Sequence, residues 1–210
     1  MRGLSMTDRP IPEMQAEHSE RASEILSGYH AEIDQIKAER EPTEGAYLDR
    51  LEPEQRSTLL QEQKHSRAAS AHETAYSEYS EEVGRYHEAL QERTSWLKGR
   101  LFKVEGPDGA AALSRTVTAT EGELSAFLDV AIQAENAELA RAVFVAAERR
   151  GSGDLIARYF DEVDKEARDL YQEFRKAPSA EVLERQVEGI GRILPQPEPG
   201  TLDATARVGY

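Results

Sequence analysis

From Pro53 to Val104 the chain contains no further proline, and its only glycines are Gly84 and Gly99. Proline is accepted in the first turn of a helix and disrupts one further in, so the spacing predicts a single helix over this whole stretch. At ~1.5 Å per residue, some 50 residues make a rod of roughly 75 Å, longer than a compact domain of 210 residues needs. Residues 12–40 precede it with Ala22, Leu26, Tyr29, Ile33 and Ile36 at alternating spacings of four and three, one apolar stripe on a helix. Glu41-Pro42-Thr43-Glu44-Gly45 interrupts that pattern, because the residue before a proline disfavours the helical region. Residues 12–104 therefore read as a long helical hairpin or coiled-coil-like rod behind a flexible N-terminus, 1–11.

The seam of the rod can be written in heptads. One position runs through Glu62, Ala69, Tyr76, Val83 and Leu90, the other through His65, His72, Tyr79 and Tyr86. Leu97, Leu101 and Val104 join it only after a four-residue shift, a stutter that locally unwinds a coiled coil. Polar and aromatic residues in a seam lower stability while fixing register and partner. Tyr76, Tyr79, Val83, Tyr86 and Leu90 are accordingly the expected contact residues, against the first helix, a second copy or another protein.

After residue 104 the pattern changes. Gly106-Pro107-Asp108-Gly109 is turn chemistry, and with the Thr-rich stretch after it residues 105–119 read as a linker loop. A compact helical module is expected over 120–194. Thr120-x-x-Glu123 is a capping box, Asn136 caps a second helix and Gly151 stops it. Ile156, Phe160, Val163, Ala167, Leu170 and Phe174, at spacings of 4, 3, 4, 3 and 4, predict one third helix. Pro178 ends it, Ser179 caps a fourth helix carrying Leu183, Val187, Ile190 and Leu194, and residues 195–210 form an extended tail that Val208 and Tyr210 could anchor on a neighbour. The fold class expected is all-α.

Composition removes several functions. With no cysteine, disulfides, thiolate catalysis and cysteine-ligated metals are impossible. The formal charge of −14 is spread evenly over the two halves, which opposes phosphate-backbone binding. Arg93, Lys98, Arg100 and Lys103 are a basic concentration, read as cations favoured near a helix C-terminus or as a small docking patch. The first ten residues lack the apolar run of a secretory signal, and no window approaches ~18 consecutive apolar residues, so a soluble protein of the cytoplasm is expected.

Catalytic signatures are missing: no phosphate-binding glycine loop, dinucleotide fingerprint or nucleophile elbow occurs. All five histidines lie before residue 90. Glu62 and His65 have the Glu-x-x-His spacing of ferritin-like di-iron bundles, which need a second such motif and two more inward carboxylates; solvated residues of a Glu-rich helix are the alternative. Acidic pairs such as Asp161 with Asp164 and Glu162 with Glu166 read as solvated helix faces in a chain with 40 acidic residues. No catalytic residue and no cofactor is expected.

The run Glu138-Leu-Ala-Arg-Ala-Val-Phe-Val-Ala-Ala-Glu-Arg-Arg-Gly151, with Asp154-Leu-Ile-Ala-Arg-Tyr-Phe160 and Ala167-Arg-Asp-Leu-Tyr-Gln-Glu-Phe174, resembles helical proteins from the head and tail gene blocks of actinobacterial tailed bacteriophages. The similarity covers about residues 120–195. It implies a non-enzymatic virion structural or capsid-assembly protein, partnered by its own copies or by virion proteins and found in the host cytoplasm during assembly and in the particle. The rival expectations are a cytosolic helical adaptor or chaperone, and a ferritin-like oxidase using Glu62 and His65.

Overall fold

The described residues form a 3-10 turn at Leu48–Arg50 and the α-helices α1 Ile11–Ala38, α2 Pro53–Phe102, α3 Gly106–Thr118, α4 Glu121–Gln133, α5 Ala137–Arg150, α6 Gly153–Glu162, α7 Ala167–Lys176 and α8 Ala180–Ile193. The computed structural model describes residues 9–45, 47–194, 196–197 and 202, and no strand occurs among them. No helix of the described residues is long and apolar enough to cross a membrane. The chain divides into two units, one containing Ile11 and Leu90–Ala177, the other Pro12–Ala89 and α8.

In the first unit, α5 is the central helix. Ala140 and every residue from Ala142 to Ala147 are buried, the all-round burial expected of a helix enclosed by others. Helices α3, α4 and α6 pack on it. Phe144 sits at the middle with its ring 4.7 Å from Tyr159, 5.3 Å from Phe160, 5.5 Å from Phe102 and 5.6 Å from Tyr171. Burial raises the Tyr159 and Tyr171 phenols above the ordinary tyrosine range.

Local sequence signals place most ends. Thr120 Oγ1 accepts from the Glu123 amide and the Glu123 carboxylate accepts from the Thr120 amide at 2.6 Å, a closed capping box. Asn136 Oδ1 accepts from Leu139 N at 3.0 Å, and Ser179 Oγ accepts from Val182 N at 3.4 Å. Gly151 closes α5 in the left-handed region at φ 72°. A Cβ there is unfavourable, so Gly151→Ala is expected to lower stability by about 1 kcal/mol, readable as a shift in the urea midpoint. No change would remove the left-handed cap as a stability determinant.

Three expectations are corrected. Residues 105–119 are not a linker loop: Gly106–Thr118 is α3. Pro107 occupies its first turn, where proline is tolerated, and Ala110-Ala111-Ala112 are the strongest helix formers. Its face bearing Ala112 and Thr116 is buried, so packing completes what turn chemistry appeared to forbid. Residues 154–177 are not one helix either. The chain breaks after Glu162, where Val163 N and Asp164 N both donate to Tyr159 O and Asp164 Oδ1 accepts from Ala167 N at 3.1 Å, starting α7. The regular 4-3-4-3-4 spacing survives because both short helices turn their apolar faces to the same aromatic core. Finally, α8 does not belong to the module of 120–177. Ile190 and Leu194 are buried in the other unit with Ala22, Ile33, Ala68 and Val83, while Val187 of the same predicted stripe is 50% exposed.

In the second unit α1 lies antiparallel to α2. His18 meets Glu82 and Tyr86, Tyr29 meets His72, and Lys37 meets Lys64. Gln63 anchors the intervening connection through Thr43 N at 3.0 Å and the Glu44 carbonyl, and Arg67 pairs with Glu39. Lys64, only 3% exposed, donates to the Lys37 carbonyl at 3.0 Å at the end of α1, where a cation satisfies the helix's negative pole. Leu202 is buried in the same cluster as Ile190 and Leu194; Val208 and Tyr210 lie outside the described residues.

Candidate functional site

The seam that holds these helices has a period of eleven, not seven. On α2 a buried series runs through Ala68, Ala71, Ala75, Tyr79, Glu82, Tyr86, Leu90, Arg93, Leu97 and Leu101, at spacings of 3, 4, 4, 3, 4, 4, 3, 4 and 4, with Lys64 one turn before it and Val83 beside Glu82 also buried. On α1 they are Ile11, Met14, His18, Ala22, Ile25, Tyr29, Ile33 and Ile36, with His18 half-buried, at 3, 4, 4, 3, 4, 4 and 3. Eleven residues in three turns is about 3.67 per turn, close to the natural period of an α-helix, so the stripe keeps to one side without a stutter. The heptad frame coincides with it at Tyr79, Tyr86 and Leu90, and Val83 of that frame is buried beside the series member Glu82. Farther toward the N-terminus Glu62, His65 and Ala69 are exposed, because a seven-residue frame drifts off the buried side.

The expected contact residues therefore separate. Tyr79, Val83, Tyr86 and Leu90 are all less than a tenth exposed. The partner of Tyr86 is α1: its ring stacks on His18 at 4.2 Å with 1° between planes. Burial raises the Tyr86 phenol above its ordinary range, against a smaller downward pull from a hydrogen bond with Gln15. Tyr76 is the member left open, 43% exposed. Glu62 and His65 share a face of α2 in solvent, and no group of three His, Asp or Glu side chains placed to hold a metal ion occurs among the described residues.

Two polar arrangements escaped the sequence reading. In the first, His18 Nδ1 donates to Glu82 Oε1 at 3.2 Å while Glu82 Oε2 accepts from Arg85 at 2.5 Å. The ring is covered by Tyr86 and held at its edge by the carboxylate. What this geometry provides is register, since sliding either helix by one turn would take His18 away from a nearly buried carboxylate and leave it only Arg85 of its own helix. In the second, Arg93 makes a two-pronged contact with Glu173, Nε to Oε1 at 2.8 Å and Nη2 to Oε2 at 2.7 Å. The guanidinium also lies 4.5 Å from the Trp96 ring centroid, and Glu173 Oε1 accepts from Ile11 N at 2.8 Å. Burial acts to raise the Glu173 carboxyl, but Arg93 and the Ile11 amide outweigh it and hold it below the usual glutamate value. The signal that could have found both was the eleven-residue spacing, which puts His18, Glu82 and Arg93 on buried faces.

Two concavities accompany these contacts. One, of about 250 Å³, lies in the first unit beside Ala131, Ala140 and Val163, with Glu135 and Glu162 on its lining. The other, of about 310 Å³, lies between α1 and α2 around Gly28, Ala71 and Ala75. No family model, no curated protein and no solved structure matches the chain.

Proposed function

We propose that the chain is a non-enzymatic structural or assembly protein of a tailed-bacteriophage particle, acting through protein–protein contacts. The observation that carries the contact part of this reading is unburied apolar surface on helices of the second unit. Val182, Val187 and Ile193 of α8 are 46%, 50% and 41% exposed, and Tyr76 of α2 is 43% exposed. Single exposed apolar residues are ordinary; Val182 and Ile193, eleven residues and three turns apart on α8, fall on one face, which a neighbour can cover. The similarity of residues 120–195 to phage head and tail gene products supplies the particle. In this reading the α1–α2 pair serves as a coiled-coil-like rod, and the partners are further copies or other virion proteins, in the host cytoplasm during assembly and then in the virion. The charge of −14 argues against direct contact with packaged nucleic acid.

Density-gradient purification of particles from the native host, probed with an antibody to the chain, tests the reading. The expected result is a fixed copy number per particle across independent preparations. Recovery only in the particle-free fraction would overturn it in favour of a cytosolic adaptor or chaperone. Metal analysis of chelator-free protein addresses the oxidase alternative, which requires at least one iron or manganese per chain at Glu62 and His65.

A further inference from the structure

We propose that the groove between α1 and α2 at Gly28, Ala71 and Ala75 is the docking site of a basic amphipathic helix carried by a partner protein. The inference rests on the protein-contact reading above and names the partner's chemistry. The floor is made of small side chains: Ala71 and Ala75, one turn apart on α2, are buried, and across from them α1 has no side chain at Gly28. A Cβ built at Gly28 meets no atom within 4 Å, so the space there is open. Small residues let another helix axis approach closely, and interaxial distance is set by the side chains at the contact.

The same helix pair already accepts a helix on its other flank. There Ile190 and Leu194 of α8 are buried, and His72 Nε2 donates to the Leu194 carbonyl at 3.0 Å. On α2, His72 lies on one side of the buried stripe, whereas Thr74 and Glu78, which line the groove, lie on the other. The groove is thus the uncovered counterpart of the α8 site, and charge decides its occupant. Its rim carries Glu24, Glu32 and Glu78. Glu24 is offset by Arg21 at 2.9 Å, while Glu32 and Glu78 form no ion pair among the described residues. A helix with Leu-type residues toward Ala71 and Ala75 and Lys or Arg toward Glu32 and Glu78 satisfies both surfaces. A second copy of this chain, with 40 acidic residues against 26 basic ones, would bring further repulsion to an acidic rim.

The probe is a fluorescein-labelled amphipathic peptide of Leu and Lys, four turns long, with a Leu/Glu peptide of identical spacing as its control, read by anisotropy against the full chain at about 0.15 M salt, where charges farther apart than about 8 Å are screened. The Leu/Lys peptide is expected to bind at least tenfold more tightly than the Leu/Glu peptide. Gly28→Leu, which fills the groove from α1, and Thr74→Leu, which fills it from α2, are each expected to weaken that binding at least tenfold with helicity by circular dichroism unchanged. Either variant that keeps its helicity suffices. Equal binding to wild type and filled variants would overturn the proposal, because the peptide would then be responding to net charge alone. Absence of binding would overturn it too, as would a concentration-dependent dimer in light scattering that Gly28→Leu abolishes, since a second copy would then cover the groove. None of these outcomes bears on co-purification with particles, so failure of the docking site and failure of the assembly reading are separable.

Discussion

Phe144→Ala is expected to destabilise the unit around α5 by about 3–5 kcal/mol, the range for removing a buried aromatic ring. The side chain is 1% exposed and is bordered by Phe102, Tyr159, Phe160 and Tyr171 from three other helices, α2, α6 and α7. Its loss removes the transfer energy of the ring and leaves a cavity that surrounding rings, already braced on one another, cannot refill. Phe144→Leu keeps more of the volume and should cost markedly less. Trp96, the only tryptophan, reports on the same unit, so urea unfolding followed by its fluorescence measures the effect. A loss below about 1 kcal/mol, the size of an ordinary point substitution, would mean that Phe144 is not the centre of this core.

Removing the charge of Glu173 is the second large effect. Glu173→Gln leaves the Arg93 guanidinium, whose side chain is only 6% exposed, without its carboxylate, and breaking such a pair from one side costs about 3–5 kcal/mol. It also takes a negative charge from the first amide of α1, where an anion is favoured by the helix's positive pole. Replacing both partners, Arg93→Met with Glu173→Met, should cost much less than Glu173→Gln alone, because the desolvated guanidinium leaves together with the carboxylate that faced it. A double variant as unstable as the single one would mean that the pair stabilises beyond its own desolvation.

The pH dependence follows from the same geometry. The folded carboxyl of Glu173 is held below its unfolded value, near 4.5. Its stabilisation is therefore fully present above pH ~4.5 and is lost as pH falls through the lower, folded value, where protonation releases Arg93. Wild-type stability should drop more steeply below pH ~4.5 than that of Glu173→Gln, which has no proton to take up at this site. Parallel profiles in urea titrations at pH 3–7 would exclude a depressed carboxyl.

The candidate site was only partly legible. Tyr79, Tyr86 and Leu90 are legible because the heptad and the eleven-residue frame overlap there, and Val83 because it lies beside Glu82 on the same buried side. Glu62 and His65 were noticed for their spacing alone, and spacing on one helix cannot show whether that face meets another. The groove at Gly28 had no signal at all, since a glycine and two alanines become a concavity only when two helices bring them together.

What the sequence determined by itself was the local grammar: that the chain is helical, that α2 runs 50 residues from Pro53, and that Thr120, Asn136, Gly151 and Ser179 mark helix ends. These follow from forces acting within one or two turns, namely caps, proline sterics and backbone propensity. Tertiary structure alone decided that Gly106–Thr118 is a helix, that α6 and α7 separate, that α8 joins α1 and α2, and that the long stripe keeps an eleven-residue beat. Each of those depends on which surface is available to bury an apolar face, and burial is non-directional: a stripe states that a helix needs a partner, and only the assembled chain supplies which one.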